Sequence, residues 1–186
     1  MIIFDYATLA DDSHRRHFID PWLTSGNYQC TFSCDKRMKV GQWYDSNEKE
    51  WLPNWEAYYA AADKDVPIEA TLGILTRYIR SENQKPTEIW CDIPEKYRSI
   101  VMEWIQSNWF IGLFSFEIPA LSQCIKMRPN GDTTPWHELK EKWITEIIGK
   151  AFMEKKHPVE MVFERSGSRA IEMWKRYGVT VLEVHA

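Results

Sequence analysis

Ala170-Ile171-Glu172-Met173-Trp174-Lys175-Arg176-Tyr177-Gly178-Val179-Thr180-Val181 is the stretch that decides the fold. Its first part belongs to a helix predicted over residues 168–177, and its end opens a strand predicted over 179–184. Just upstream, Val159 to Phe163 is a short apolar run of strand type, so the C-terminal region reads as strand, helix, strand. The same alternation continues toward the N-terminus. Ser122 to Met127 predicts a strand and Thr134 to Ile148 a helix. Thr87 to Cys91 predicts a strand, and Pro94 suits the first turn of a helix running to about Asn108, with Tyr97, Ile100, Val101, Trp104 and Ile105 on its inner face. Met1 to Tyr6 is an apolar run interrupted by Asp5, as in a buried parallel strand that delivers one polar side chain at its C-terminal edge. That edge is where open α/β sheets place ligands. Strands alternating with helices imply an α/β, Rossmann-like fold with a mainly parallel sheet and right-handed crossovers.

The region between the first two sheet strands is different. Residues 28–44 read as two β segments joined through Asp35-Lys36, a hairpin, and Asp45-Ser46-Asn47-Glu48 breaks the pattern. Asn54 is placed to cap a helix over Trp55 to Ala62, and Ile68 to Ile79 has helical spacing at Leu72, Leu75, Tyr78 and Ile79. Residues 109–118 are apolar and aromatic and fit either a strand or a loop. The expectation is a single domain over 1–186, with residues 20–51 as a small aromatic-rich cap or insertion containing the hairpin.

The chain has 186 residues, 44% of them apolar, enough for one domain with a substantial core. Its formal charge of -4 disfavours sequence-independent binding to long nucleic acid, but leaves a nucleotide or a nucleic-acid end open, since one phosphate needs only a local cluster. Cys30, Cys34, Cys91 and Cys124 occur with no signal-peptide pattern, and a reducing cytoplasmic setting is expected. No apolar run approaches the roughly 20 residues that span a bilayer, so no membrane partner is expected. Ten tryptophans are many for this length, and Trp22, Trp43, Trp51 and Trp55, with Tyr28 and Tyr44, concentrate in one early segment. Such rings pack a cap, stack on bases, or form an interface with a protein partner or a second copy.

Several stretches share an order and spacing with a known family. They are Ile3-Phe4-Asp5-Tyr6-Ala7-Thr8-Leu9-Ala10, Ser13-His14-Arg15, Asn54-Trp55-Glu56-Ala57-Tyr58-Tyr59, Asp65-Val66-Pro67-Ile68, Met127-Arg128-Pro129-Asn130-Gly131-Asp132 with Lys140, and Met173-Trp174. In these the chain resembles the phosphatase domain of polynucleotide kinase-phosphatases, within the haloacid dehalogenase (HAD) superfamily, whose members of this kind are common in phages. The resemblance implies a HAD-like fold in which Asp5 is the nucleophile that becomes a phospho-aspartate. It implies Lys140 as the cation that neutralises phosphate and nucleophile, Thr8 and Cys91 as residues beside the phosphoryl group, and Asp5 with Glu164 as ligands of Mg²⁺. Arg15 would meet the substrate's phosphate.

The same comparison exposes departures. The family's second aspartate, the general acid, falls on Ala7, and the glycine of the tight turn is missing. Cys91 replaces a hydroxyl, Asp92 puts negative charge where a phosphate should rest, and Arg165 replaces the second acid of the metal-binding pair. The expectation is therefore an impaired phosphatase that acts by binding. The alternative is an active Mg²⁺-dependent phosphatase on nucleotides or 3′-phosphate ends, with an acid borrowed from Asp11, Asp12 or Asp92. Bland readings stand beside these roles: Asp5 as a polar strand end, Lys140 as part of a solvated charged helix face, Arg15 in an exposed helix start capped by Ser13, and Met173-Trp174 as packing.

Overall fold

Alternation of side chains along five parallel strands builds the core. The computed structural model describes residues 1–18, 38–39, 42–45, 50–80, 86–109, 123–151 and 158–185. Its strands are β1 (Ile2–Asp5), β2 (Ala10–Asp11), β3 (Met38–Lys39), β4 (Gln42–Asp45), β5 (Glu50–Pro53), β6 (Val66–Pro67), β7 (Thr87–Pro94), β8 (Ile125–Arg128), β9 (Met161–Arg165) and β10 (Thr180–Val184). The α-helices are α1 (Trp55–Ala60), α2 (Glu69–Arg80), α3 (Arg98–Trp109), α4 (Trp136–Ala151) and α5 (Ala170–Arg176). The main sheet has the order β10-β9-β1-β7-β8, with every neighbouring pair parallel. This is the expected Rossmann-like α/β sheet flanked by helices.

Successive residues of a strand face opposite sides of the sheet. Ile2 and Phe4 of β1, Ile89, Cys91 and Ile93 of β7, and Phe163 of β9 pack with Leu72 and Leu75 of α2 and Val101, Trp104 and Ile105 of α3. Ile3, Trp90 and Val162, one residue out of phase, pack with Leu139, Trp143 and Ile144 of α4 and with Met173 and Trp174 of α5. The polar residues that continue the second set, Asp5, Asp92 and Glu164, are thereby directed to the α4/α5 side. Strand parity, fixed by sequence, selects the face on which chemistry is possible.

The helices follow their sequence signals except at the start of α3, where Pro94 ends β7 instead of opening the helix, a 3-10 turn covers Glu95–Tyr97 and the α-helix begins at Arg98. The Asn54 side chain accepts from the Ala57 N–H at 3.1 Å and caps α1. That helix stops at Ala60 and continues as a 3-10 turn over Ala61–Lys64, short of the expected α-helical end. β7 extends past Cys91 to Pro94, because Asp92 and Ile93 prolong the in-and-out alternation. The hairpin is corrected. Met38 pairs with Trp43 and Lys39 with Gln42, so the chain reverses between Lys39 and Gln42 and residues 36–44 do not form one strand. β4 then pairs with β5, giving a three-stranded antiparallel sheet whose second reversal falls at the expected break after Asp45. Residues 28–35, 110–118, Trp22 and the Cys30/Cys34 pair lie outside the described residues.

β2 and β6 form a two-stranded antiparallel pair that joins the loop after β1 to the segment before α2. No described helix is long and apolar enough to cross a membrane.

Candidate functional site

Three residues far apart in sequence meet at the C-terminal edge of the sheet. Asp5 ends β1, Glu164 lies on the adjacent strand β9, and both project toward α4, where Lys140 sits within the buried stripe Leu139, Lys140, Trp143 and Ile144. The Lys140 ammonium donates to both Glu164 oxygens, at 2.8 Å to Oε1 and 2.6 Å to Oε2, and is ion-paired with Asp5 Oδ2. All three side chains are buried. Two indoles complete the arrangement. Trp136 donates to Asp5 Oδ2 at 2.8 Å, and Trp174 donates to Glu164 Oε2 at 2.9 Å. The other Asp5 oxygen accepts the Ala7 N–H at 2.8 Å, while the Thr8 hydroxyl donates to the Asp5 carbonyl at 2.7 Å.

Burial alone would pull the Lys140 ammonium down, but the charges of Asp5 and Glu164 outweigh it and hold its pKa above the ordinary lysine value. Glu164 is pushed up, first by burial and then by repulsion from Asp5, with Lys140 partly offsetting both. The triad is thus one ammonium shared by two carboxylates in a dry setting, where removal of any member is expensive.

A cleft of about 90 Å³ opens in front of this triad, lined by Asp5, Tyr6, Ala7, Ala10, Asp12, Arg15, Tyr58, Tyr59, Asp92, Ile93 and Trp136. Arg15 lines it directly, the wall residues Asp5, Asp12 and Asp92 hold three further cations, and each of the four is paired with a carboxylate of the chain itself. Arg15 pairs with Asp65 at 2.7–2.8 Å and also donates to the Tyr58 carbonyl at 3.0 Å. Arg165 pairs with Asp12 at 2.9 Å, and the Tyr58 hydroxyl donates to the same carboxylate. Arg128 pairs with Asp92, and Lys140 is shared as described. Burial pushes the Asp65 carboxyl up to about 7.

The residues singled out in the sequence are partly brought together. Asp5, Lys140 and Glu164 meet, and Lys140 is buried rather than on a solvated helix face. Arg15 lines the cleft, yet its guanidinium is buried against Asp65, so it is not part of an exposed helix start. Nor does Ser13 act as a cap acceptor; its N–H and hydroxyl donate to the Asp11 carboxylate, each at 3.0 Å. Thr8 is fully buried and bonded to backbone. Cys91 faces the opposite side of the sheet among Ile89, Ile93 and Val101, and burial raises its thiol well above the usual cysteine value. From β7 the cleft is lined by Asp92 and Ile93 and not by Cys91. Of the candidate borrowed acids, Asp12 and Asp92 line the cleft, whereas Asp11 is engaged with Ser13.

Trp136, Trp174, Tyr58 and Arg128 were not anticipated as site residues. Tyr58, Arg128 and Trp174 lie within the stretches that carry the resemblance, and Trp136 carried a signal of its own, because it precedes Lys140 by four residues and so shares its helix face. For Mg²⁺, the ligand pair implied by the resemblance is already bridged by an ammonium and capped by two indole N–H groups. As folded, that donor set fits a cation carried by the chain and does not fit a divalent ion, whose acidic ligands would have to be released from Lys140. Among the described residues no group of three or more His, Cys, Asp or Glu side chains gathers as a metal site. No family model, curated protein or solved structure matches the chain.

Proposed function

We propose that this is a HAD-like protein related to polynucleotide or nucleotide phosphatases whose catalytic centre has become a structural lock, and that it acts by binding rather than by hydrolysis. The observation that carries this reading is the state of Asp5. One oxygen holds Lys140 and Trp136, and the other holds the Ala7 N–H, so an attack on phosphorus would have to break contacts in a buried ion cluster. The residue two positions on is Ala7, and loss of a general acid alone costs about 10²- to 10⁴-fold in rate. Kinship is supported by the meeting of Asp5, Lys140 and Glu164, the last two picked out by the resemblance alone and both more than a hundred residues along the chain from Asp5.

The binding role draws support from the aromatic rim. Trp55 is about half exposed and stacks on Tyr59 with centroids 5.8 Å apart, and Tyr58 and Tyr59 form one wall of the cleft. A flat apolar ring beside a small, mainly apolar cleft edged by carboxylates suits a nucleotide-like ligand or an aromatic-rich protein interface. The deciding assay is Mg²⁺-dependent phosphate release from nucleotides and 3′-phosphorylated oligonucleotides, wild type against Asp5→Asn. Equal background rates in both folded proteins are expected. Release that disappears in Asp5→Asn overturns the proposal and establishes the second reading, an active phosphatase with Asp5 as nucleophile, which the convergence of Asp5, Lys140 and Glu164 also favours.

A further inference from the structure

Arg128 ends β8 and is buried in the wall behind the cleft, with its guanidinium built into place. Nη1 donates to the carbonyls of Asp132 at 3.1 Å and Thr134 at 2.6 Å, Nε donates to the Asp92 carbonyl at 3.1 Å, and the group lies 5.7 Å from the Trp136 ring centroid. These contacts fix its position but do not neutralise its charge. Charge compensation comes mainly from Asp92 Oδ1, which takes Nε at 2.8 Å and also Nη2, with the Asp132 carboxylate at the edge of ion-pairing distance, 4.0 Å from Nη1. The two partners differ in freedom. The Arg128 side chain is 9% exposed, whereas that of Asp92 is 47% exposed and lines the cleft. A rigid, backbone-anchored guanidinium closed off by a solvent-facing carboxylate has the geometry of an anion site with a tethered occupant.

We infer that Arg128 is an oxyanion-binding site, for a phosphate monoester or inorganic phosphate, that Asp92 occupies in cis and gates. Rotation of the Asp92 side chain toward solvent exposes Nη2 to the cleft, and an incoming phosphate oxygen replaces the carboxylate there. Trp136 then ties this site to the triad, since its indole N–H holds Asp5 while its ring faces Arg128. The inference rests on the binding reading above and assigns the ligand class to that cleft.

The test is thermal unfolding of the full chain in sodium phosphate against sodium chloride at matched ionic strength, for wild type, Asp92→Ala, and Asp92→Ala combined with Arg128→Met. Phosphate stabilises folded proteins generally by exclusion from their surfaces, so the double variant sets the baseline. Asp92→Ala is expected to show an excess, saturable rise in Tm, about 4 °C at ten times Kd, with phosphate bound at least tenfold more tightly than by wild type. Should Asp92→Ala fail to fold in chloride, Asp92→Asn carries the comparison, as it keeps an acceptor for Arg128 and removes only the charge. A phosphate-dependent rise in Asp92→Ala no larger than that in the double variant overturns the inference. Phosphate release by wild type would sink the silent-centre reading without touching this result, and a negative binding result would leave that reading standing.

Discussion

Replacing Lys140 by Met separates an electrostatic lock from a merely buried side chain. The substitution conserves length and apolar stem, so packing against Leu139 and Ile144 is retained and the change is mainly removal of the ammonium. Asp5 and Glu164 are then left facing each other, each still holding one indole N–H but with no compensating charge. Breaking a buried pair in this way costs about 3–5 kcal/mol at neutral pH, and for a chain of this length that lowers Tm by about 10 °C. The sign with pH follows from where the proton goes. Without Lys140 nothing offsets the burial and the Asp5 charge that push Glu164 up, so its folded-state carboxyl lies further above its unfolded value of about 4 and the folded variant binds more protons than the unfolded chain. Its stability is greatest below that unfolded value and is lost as pH rises through the folded pKa. The penalty relative to wild type is therefore expected to be smaller at pH 5 than at pH 8 in urea or thermal denaturation. A triple variant, Asp5→Asn with Lys140→Met and Glu164→Gln, removes every charge together and should recover most of the loss, because the three terms are coupled. A penalty at pH 8 below about 1 kcal/mol, or one that does not change with pH, would refute the reasoning.

Asp65, raised to about 7 by burial against an unfolded value near 4, makes the wild type lose stability as pH climbs from about 4 to 7, and Asp65→Asn should flatten that slope in Tm against pH. Trp174→Phe keeps the ring in the core but strips Glu164 of a charge-assisted hydrogen bond; a loss of about 2 kcal/mol in the urea midpoint is expected, and it should be non-additive with Lys140→Met because both act on Glu164. Cys91, buried with a raised thiol pKa, should resist alkylation in the native protein and react only in denaturant, as peptide mapping by mass spectrometry would read out.

The main sheet was legible because its strands are short apolar runs separated by helices of clear 3.6-residue period, a pattern that tertiary context rarely overrides. The same regularity made Asp5 stand out as a polar end to an apolar strand. Lys140 and Glu164 were reached only through the resemblance, since neither spacing nor composition links positions 5, 140 and 164. What the sequence concealed was pairing. The run His14-Arg15-Arg16-His17 looks solvated locally, and nothing within it reveals that Arg15 is satisfied by Asp65, fifty residues away and delivered by the β2–β6 pair. Cys91 was chosen by motif position where parity was the better guide. Trp90 and Asp92 share one face of β7 and Cys91 takes the other, a distinction readable from the alternation once the strand is known to continue to Pro94.

The charge pattern around the cleft ties ligand access to stability. Asp5 comes from β1, Asp92 from β7, Arg128 from β8, Glu164 and Arg165 from β9, Lys140 from α4, Asp12 from the residue after β2 and Arg15 from the 3-10 helix that follows it. Each ion pair therefore joins two or more separate elements across the C-terminal edge of the sheet, and the same contacts that close the chain on itself also fill the places where an anion would dock. Opening the site for chemistry at Asp5 requires freeing it from Lys140 and Trp136, which removes interactions holding β1 to α4. Opening it at Arg128 requires only rotation of one half-exposed side chain, and leaves the guanidinium anchored by three backbone carbonyls. The fold thus makes ligand capture a local event and catalysis a disruptive one, so the most accessible anion site lies at Asp92 and Arg128 instead of at the buried triad.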